Sequence, residues 1–420
     1  MNIKAPRGTK DIIGPESLLW QEIERAVDET AREFGFLEIR TPIFESSTLF
    51  KRSVGEASDL MVAKEMYLFT DKGGEEMALR PELTASVVRA AVEHNLLNAQ
   101  GALAKLYYNS APMFRYERPQ LGRQRQFHQF GIELLGSGSP LADLQVISFA
   151  HAVYRRLGFV NFELRLNTLG SNEVRAKWQE YLVTYLKKYL GDLSEDSRRR
   201  LETNPIRILD SKNPRDREIV ADAPAILDYL DDADRAHFES LGRHLTDAGI
   251  VFRIDPLLVR GLDYYTRTVF ELTSSDLGSQ DALCGGGRYD ALVEQLGGPA
   301  TPAVGFAAGV ERLVIVLEKL RGSVPSPALD AYIVLAEKSA TRQLIDISSQ
   351  LHGAGFSCQY DLQDRSVKAQ MRDAGRLGAR FVVMLGADEI AAGTVTLKNM
   401  ADGSQESIAP YLLQERLRKP

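Results

Sequence analysis

The sequence contains little cysteine, and this scarcity limits the class of protein that it fits. Two cysteines, Cys284 and Cys358, occur in 420 residues and lie far apart. Such spacing argues against a disulfide framework and a structural zinc site, and it fits a reducing compartment. No apolar run of about 18 residues occurs, and no apolar segment follows Met1, so neither a membrane span nor secretion is expected. We therefore expect a cytoplasmic protein.

Several common catalytic motifs are also missing. There is no G-x-x-x-x-G-K-[ST] loop, which argues against a P-loop nucleotide hydrolase. The run 136–138 lacks the third glycine of a dinucleotide fingerprint, the histidines show no H-E-x-x-H spacing, and no G-x-S-x-G occurs. The formal net charge of -6 gives no hint of nucleic-acid binding. Any contact with RNA must therefore come from local basic patches.

Residues 106–135, LYYNSAPMFRYERPQLGRQRQFHQFGIELL, are the most informative stretch. Two extended runs joined by a loop of Arg, Gln, Pro and Gly predict a long β-hairpin. Because side chains alternate along a strand, we expect two faces on the second run. One face carries Phe127, Gln129, Gly131 and Glu133, and the other, facing the core, carries His128, Phe130, Ile132 and Leu134.

The first run of this hairpin adds Arg115 and Glu117 on one face, and the loop adds further cations. These loop cations are Arg118, Arg123 and Arg125. A core sheet has no use for so many polar groups on one face. A ligand with phosphates, an ammonium and a polar ring would use all of them.

Five stretches carry a resemblance to a known family. Phe114-Arg115-x-Glu117 followed by 125–129 resembles the second signature motif of class II aminoacyl-tRNA synthetases, and in detail the histidyl-tRNA synthetase family. The blocks LVRGLDYYTRTVFE (258–271) and CGGGRYD (284–290) resemble stretches specific to that family. AVGFAAGVERLVIVL (303–317) resembles the third class II motif, and PRGTKDI (6–12) resembles the opening of family members.

The resemblance implies a fold and a division of the chain. We expect an α+β catalytic domain, 1–325, with a mixed, mostly antiparallel sheet flanked by helices. A charged, helix-rich segment, 171–248, reads as an insertion, and Pro/Ser-rich 322–328 reads as a linker. Residues 329–420 alternate strands and helices and predict a small α/β three-layer domain, the place of an anticodon-binding domain in the family.

The N-terminal part also carries a dimer expectation. Apolar spacing predicts a helix from Pro15 to Phe34, ended by Gly35, and then a strand, 36–42, that ends at proline. This pattern resembles the first class II motif, which builds a homodimer interface in the family. A plain core helix and strand is the alternative.

Residues 67–84 offer two interpretations of the same side chains. A turn at 72–74 predicts a hairpin, and Pro81 is placed at the first position of a helix. Glu82 and Thr84 fit a capped helix start. In the family the matching residues hold the α-ammonium of the amino acid, and we favour that role.

By resemblance, the site residues divide into sets with distinct roles. The catalytic set is Arg260 and Arg115. The set for ATP is Arg115, Glu117, Arg123, Phe127 and Arg312. The set for L-histidine is Glu82, Thr84, Gln129, Glu133, Tyr265 and Tyr289. Mg²⁺ is expected to accompany ATP, with Glu117 as its candidate neighbour, whereas no zinc and no organic cofactor are expected.

Two helical stripes have open interpretations. Trp178, Tyr181, Leu182, Tyr185, Leu186 and Tyr189 recur at helical spacing, which indicates packing rather than a binding surface. In the C-terminal part Lys368, Arg372, Arg376 and Arg380 form a basic stripe. A solvated helix face and a surface for tRNA phosphates explain that stripe about equally well. In the hairpin loop, Arg118 and Gln120 are candidates for the acceptor end of tRNA.

The resemblance implies ATP-dependent charging of histidine tRNA through histidyl-adenylate. Three alternatives are weighed against it. A synthetase-like regulatory subunit of histidine biosynthesis binds histidine without charging tRNA, but it typically lacks the C-terminal domain and some site residues. A degenerate tRNA sensor would have lost arginines such as Arg260 or Arg312. Another class II synthetase would not explain the blocks at 258–271 and 284–290.

Overall fold

The computed structural model describes residues 3–54, 65–99, 101–119, 122–262, 264–274, 282–322 and 329–418. The chain divides into two compact units, Met1–Ser323 and Val324–Pro420. The proposed linker lies outside the described residues from 323 onward. Each unit has its own hydrophobic core.

The strands of the first unit, in chain order, are β1 (Leu37–Glu38), β2 (Phe44–Ser46), β3 (Leu68–Thr70), β4 (Glu76–Leu79), β5 (Ala104–Phe114), β6 (Gln126–Leu135), β7 (Glu163–Thr168), β8 (Phe252–Ile254), β9 (Thr266–Thr273), β10 (Ala282–Arg288) and β11 (Ala303–Gly309). Eight of them form one sheet in the order β1-β5-β6-β11-β10-β9-β7-β8. Only the outer pairs β1–β5 and β7–β8 are parallel within this sheet. The mixed, mostly antiparallel sheet expected from the sequence is therefore confirmed.

The α-helices of this unit are Glu16–Phe34, Ser47–Val54, Thr84–Glu93, Pro140–Arg156, Asn172–Lys187, Glu195–Thr203, Pro214–Ala221, Asp232–Asp247, Leu292–Gln295 and Val310–Arg321. The first of them ends at Gly35, whose φ of 71° is easily reached without a side chain. The strand expected over 36–42 is wrong in length, because β1 pairs with β5 at two residues only.

The segment 171–248 is helical, as expected, and its helices begin in a common way. Ser171, Ser194, Asn213 and Asp231 each accept a hydrogen bond from a backbone N–H of the helix that follows. Such caps satisfy donors that the helix itself leaves unpaired. Trp178, Leu182 and Leu186 of the aromatic stripe are buried, in agreement with packing, whereas Tyr181 is exposed.

The hairpin β5–β6 forms as predicted, and its alternation places two kinds of side chain on opposite faces. Phe130 packs edge-on against Phe306 of the neighbouring strand, and His128 packs against Trp20. Glu133, on the other face, faces the candidate site. The first strand ends at Phe114, so Arg115 and Glu117 lie in the connection rather than in the strand.

The second unit has one five-stranded sheet, ordered β13-β12-β14-β15-β16. Its strands are β12 (Ala331–Leu335), β13 (Cys358–Tyr360), β14 (Phe381–Leu385), β15 (Val395–Asn399) and β16 (Gln405–Ile408), and its helices are Thr341–Gly353, Val367–Arg376, Ala387–Ala392 and Leu413–Arg418. Ile333 and Tyr332, on opposite faces of β12, belong to different core clusters. Both faces are therefore covered, as a three-layer domain requires.

Helices of the described part of the chain were compared with the length and apolarity needed to cross a bilayer. None meets both requirements.

Candidate active site

Glycines of three adjacent strands lie at the centre of the main sheet. We call Gly131, Gly285, Gly287 and Gly305 the glycine floor. In the cross-strand register, Glu133, Gly305 and Gly287 are neighbours, and Gly131, Ala307, Gly285 and Glu271 form the next row. Directly opposed residues of adjacent strands share a face. The glycines of 284–290 therefore lie within a strand and not in a turn, and they leave room above the sheet between two carboxylates.

Side chains from other elements occupy the space over two of these glycines. A Cβ on Gly305 would lie 1.9 Å from Glu133 Oε2, and a Cβ on Gly285 would lie 2.2 Å from Arg260 Nη1. Real Cβ atoms do not approach so closely. Glycine is therefore needed at both positions for the charged groups to lie flat against the sheet.

Glu133 is the centre of the more buried half of the site. Its side chain is 1% exposed. Thr84 Oγ1 donates a hydrogen bond of 2.8 Å to Oε1, and the Tyr289 hydroxyl donates to Oε2. Burial raises the pKa of Glu133 to about 8, although both hydrogen bonds act in the opposite direction. A single carboxyl group thus connects two residues expected to contact different parts of the amino acid.

Glu82 lies at the beginning of the helix Thr84–Glu93. Its Oε1 accepts a 3.0 Å hydrogen bond from the backbone N–H of Ala85. Burial raises the pKa of Glu82, and the backbone donors of Ala85 and Thr84 oppose the shift. Pro81 precedes the helix by three positions, so its expected place at the first helical position is wrong. The Glu82 carboxyl group, and not Pro81, therefore contacts the first turn of this helix.

An aromatic wall stands beside Glu133. The ring centroids of Tyr264 and Tyr265 are 4.8 Å apart, and those of Tyr264 and Tyr289 are 5.7 Å apart in an edge-on contact. All three side chains are buried. Burial raises the pKa of Tyr265 above its usual range, so its hydroxyl keeps its proton. The wall offers neutral hydroxyl groups to a polar ring.

Arg260 is the main cation of the other half of the site. Its Nη1 donates a 3.0 Å hydrogen bond to Glu271 Oε1. Its Nε is buried and has no hydrogen-bond partner among the described residues. Burial works against the charge of Arg260, but Tyr265 and Glu271 outweigh it and raise the pKa. The guanidinium is therefore held charged, with a donor still to be satisfied.

Arg312, Arg123 and Glu117 form a second group of charges. Arg312 Nη1 donates a 2.6 Å hydrogen bond to the carbonyl of Ala282, and Arg123 Nη1 lies 3.6 Å from Glu117 Oε2. Burial lowers the pKa of Arg312, and the charge of Arg123 lowers it further. Two cations that repel each other in this way favour the approach of an anion.

Arg115 connects the two halves. Its Nε donates a 2.8 Å hydrogen bond to the carbonyl of Pro81, next to Glu82. Its guanidinium carbon lies 5.5 Å from the centre of the Phe127 ring. Gln129 follows on the same face of β6, and its Oε1 is buried with no hydrogen-bond partner in the described part of the chain. An unpaired buried acceptor indicates room for a donor from a ligand.

The remaining expected residues lie elsewhere. Gln120 lies outside the described residues, and Arg118 is exposed. Lys368, Arg372 and Arg376 are exposed on the helix Val367–Arg376 of the second unit. Arg376 Nε makes a 3.2 Å ion pair with Asp373 Oδ1. Because its charge is partly neutralised, Arg376 is less suited to bind a phosphate than an unpaired cation would be.

Sequence reasoning missed two residues of this site, Glu271 and Tyr264. A glutamate in the apolar strand TRTVFELT was the available signal for Glu271. Arg288, which follows the glycines, serves the fold. It is fully buried and forms an ion pair of 2.5 Å with Asp143.

Comparison with known proteins agrees with this geometry. The family model of histidyl-tRNA synthetase matches residues 8–313, and that of an anticodon-binding domain matches residues 330–419. The chain belongs to the histidyl-tRNA synthetase family. A histidine–tRNA ligase from Picosynechococcus sp. is 49% identical over 407 residues, which cover 97% of this chain and 95% of that protein.

Solved structures give the same result for the fold. The apo histidyl-tRNA synthetase of S. aureus aligns over 100% of both chains, with a TM-score of 0.81 and 37% identity. A chain described as an ATP phosphoribosyltransferase regulatory subunit/histidyl-tRNA synthetase, from Bacillus halodurans, covers 89% of this chain and 97% of its own. Its TM-score is 0.65 at 23% identity. The synthetase-family fold alone therefore does not separate charging enzymes from regulatory relatives.

Proposed function

We propose that this chain activates L-histidine with ATP as histidyl-adenylate and transfers the histidyl group to the 3′ end of histidine tRNA. The observation that carries the proposal is the glycine floor between two unlike groups. Buried Glu133, with its two hydroxyl donors, lies on one side. Arg260, whose Nε has no hydrogen-bond partner in the described part of the chain, lies on the other. The first suits an imidazole and the second a phosphate.

Histidine is the amino acid that best matches the buried half. An imidazole needs a partner at each ring nitrogen, and Glu133, Tyr265 and Tyr289 supply a carboxyl group and hydroxyl groups. Glu82, Thr84 and Gln129 would hold the α-ammonium, which supplies the donor that Gln129 Oε1 lacks. A site built on hydrogen bonds rejects apolar analogues by about 10⁴-fold or more, so a separate editing site is unnecessary.

Adenylate formation suits the arginine half. A carboxylate oxygen of histidine attacks the α-phosphorus of ATP, the new C–O–P bond forms, and the bond to the bridging oxygen breaks to release pyrophosphate. Such a reaction needs positioning and cations more than acid–base chemistry. In our proposal Arg115 and Arg260 hold the α-phosphate, and Arg123 and Arg312 hold the β- and γ-phosphates. Phe127, beneath Arg115, would stack on adenine.

Mg²⁺ fits beside this group as a companion of ATP. Among the described residues no cluster of three His, Cys, Asp or Glu side chains forms a metal site. Mg²⁺ usually binds nucleotides through phosphates, water and one or two carboxylates. Glu117, next to Arg123, would supply one such oxygen. When bound, the ion would neutralise phosphate charge.

Transfer to tRNA completes the proposal. A ribose hydroxyl of the 3′-terminal nucleotide attacks the carbonyl carbon of the adenylate, and AMP leaves. Arg118 and Gln120 are our candidates for the acceptor end. Lys368, Arg372 and Arg376 would contact backbone phosphates near the anticodon, although the ion pair of Arg376 with Asp373 makes it the weakest of the three. A cytoplasmic location remains a prediction.

We also propose that two copies associate into a homodimer. The strands β2 and β3, which both pair with β4, expose apolar side chains. Phe44 and Phe69 share one face of this small sheet, with exposures of 54% and 41%, and their rings are 6.2 Å apart. Leu68, which is 44% exposed, belongs to the opposite face, and Ile43, 46% exposed, precedes β2. Exposed aromatic rings suit a protein contact, and Phe44→Glu should shift the sedimentation coefficient towards that of a monomer.

Histidine-dependent exchange of pyrophosphate with ATP tests the proposed reaction. We expect exchange with histidine and, in a second assay, charging of histidine tRNA. A chain that binds histidine in calorimetry but exchanges no pyrophosphate would instead fit a regulatory subunit. Exchange without charging would restrict the proposal to the first step.

A further inference from the structure

The helical insertion meets the histidine half of the site at one short segment. We call residues 264–267 the pocket strap. It carries Tyr264 and Tyr265 of the aromatic wall and leads into β9. Two side chains of the insertion, one from its first helix and one from its last, contact this segment. The insertion thus reaches the proposed pocket through the backbone of the strap.

Arg175 makes the first contact. It lies on the helix Asn172–Lys187, and its Nη1 donates a 2.7 Å hydrogen bond to the carbonyl oxygen of Tyr265. The Tyr265 ring lies close over Gly287, where an added Cβ would be 3.0 Å from its Cδ1. A shift of the Tyr265 backbone would therefore move the ring relative to the glycine floor.

Asp234 makes the second contact from the helix Asp232–Asp247. Its Oδ1 accepts a 2.8 Å hydrogen bond from Arg267 Nε, and its Oδ2 accepts a 2.6 Å hydrogen bond from the backbone N–H of Ser171. The Asp234 side chain is 1% exposed. One buried carboxylate thus joins the first residue of the insertion to the last residue of the pocket strap.

The backbone of Arg267 is held in an unfavourable conformation. Its φ is +46°, which costs energy for a residue with a side chain. Its N–H donates a hydrogen bond to the carbonyl of Gly170, and its carbonyl accepts one from the N–H of Leu169. Both hydrogen bonds are 2.7 Å long. Such a conformation persists only where several contacts fix it. The conformation of the strap therefore depends on the two residues, Leu169 and Gly170, that lead into the insertion.

We propose that the insertion sets the shape of the histidine pocket, with Arg175 and Asp234 as positioning residues that hold Tyr265 through the pocket strap. The inference rests on the proposed function, because Tyr265 is assigned to histidine there. This role of residues 171–248 is independent of any contact between the insertion and tRNA. Loss of either contact should weaken histidine binding more than ATP binding, although Tyr265 also acts on Arg260 of the nucleotide half.

The test compares Arg175→Met with Arg175→Lys in the full chain. In pyrophosphate exchange, Arg175→Met should raise the KM for histidine about tenfold, the effect of one lost hydrogen bond from a charged donor. The KM for ATP should rise less than the KM for histidine, because a moved Tyr265 changes the surroundings of Arg260 but loses its own contact with histidine. Arg175→Lys should recover part of the loss. Arg199→Met, an exposed arginine of the same insertion, is the matched control.

A second variant separates positioning from stability. Asp234→Asn should raise the KM for histidine in the same direction, and a fall in Tm is expected because Asp234 is buried. Equal rises in the KM values for histidine and ATP, or a lower Tm with no change in either, would overturn the inference.

Calorimetric Kd values for histidine distinguish the two proposals. A wild-type chain that binds histidine without exchange contradicts the proposed function, yet its Kd can still be compared with that of Arg175→Met.

Discussion

The two halves of the candidate site differ in whether their ionisable groups already have partners within the protein. In the histidine half, Glu133 is buried, and its carboxyl group already has hydrogen bonds from Thr84 and Tyr289. In the nucleotide half, Arg123 is 42% exposed, and Arg312 lies close enough to Arg123 for the two charges to repel. The carboxyl group of the first half therefore has its hydrogen-bond donors before any ligand binds, whereas the cations of the second half are compensated by phosphate. Specificity should therefore depend on the first half and rate on the second.

The largest effect is expected from the nucleotide half. Arg260→Ala should reduce the kcat of exchange by roughly 10²–10³-fold, since a lost transition-state donor costs on the order of 3 kcal/mol. The KM for histidine should change little. Steady-state exchange kinetics measure both values. Circular dichroism of the variant provides the control, because Arg260 bonds to Glu271 and the fold should survive its loss.

A change in the histidine half should act on a different parameter. Glu133→Gln keeps the shape of the side chain but replaces the carboxyl partner of the imidazole with an amide. We expect the KM for histidine to rise about tenfold, the effect of one lost hydrogen bond in a buried site. The KM for ATP, taken from the same assay, should stay constant. A variant in which only the KM for ATP rises would contradict the assignment of Glu133.

The raised pKa of Glu133 predicts how stability depends on pH. In the folded chain its pKa is about 8 rather than 4.5, so the folded state binds more protons than the unfolded state between these values. The stability that Glu133 contributes is complete below the lower value and is lost as pH rises through the upper one. The free energy of unfolding of wild type minus that of Glu133→Gln should therefore fall between pH 5 and pH 9. The fall should exceed about 1.4 kcal/mol, the equivalent of one pKa unit.

Denaturant titrations at several pH values measure this difference. A difference that stays flat or rises with pH would mean that the carboxyl group is ionised in the folded chain.

Two glycines allow each half to be perturbed from the same sheet. Gly305→Ala would place its methyl group against Glu133, and Gly285→Ala would place it against Arg260. Overpacking of this kind costs about 1–3 kcal/mol, or tenfold and more in a rate or affinity. We expect Gly305→Ala to raise the KM for histidine and Gly285→Ala to lower kcat. Gly242→Ala, where the new Cβ meets only Phe252 at 3.5 Å, is the control.

The smallest effect is expected outside both halves. Lys368→Glu with Arg372→Glu should raise the KM for tRNA about fivefold at physiological salt, because each lost phosphate contact weakens binding and its salt dependence. Pyrophosphate exchange without tRNA should not change. Arg342→Glu, exposed on another helix of the same unit, should leave charging as it is. An equal loss in that control would favour a solvated face for the stripe.

Local patterns were sufficient to predict much of the fold. The alternation in 127–134 predicted which side chains of β6 share a face, although both faces are buried from Phe130 onward. Gly35 ended its helix as expected. The length of β1 was not predictable, because it depends on pairing with β5. The helix Ala387–Ala392, the strand β16 and the helix Leu413–Arg418 were missed. They are four to six residues long, too short for a periodic pattern.

The site was predicted by resemblance more than by spacing. Resemblance identified Glu133, Thr84 and Tyr289 but not the hydrogen bonds that join them, because those residues come from separate parts of the chain. The same limit hid the contact between Arg260 and Glu271. The block 284–290 was identified by resemblance, yet the place of its glycines in the middle of a strand depends on both neighbouring strands.

Pyrophosphate exchange with each of the twenty amino acids tests the central claim most directly. If a preformed hydrogen-bonding pocket confers the specificity, kcat/KM for histidine should exceed that for every other amino acid by about 10⁴-fold or more. A second amino acid that supports exchange within about tenfold of histidine would contradict the account.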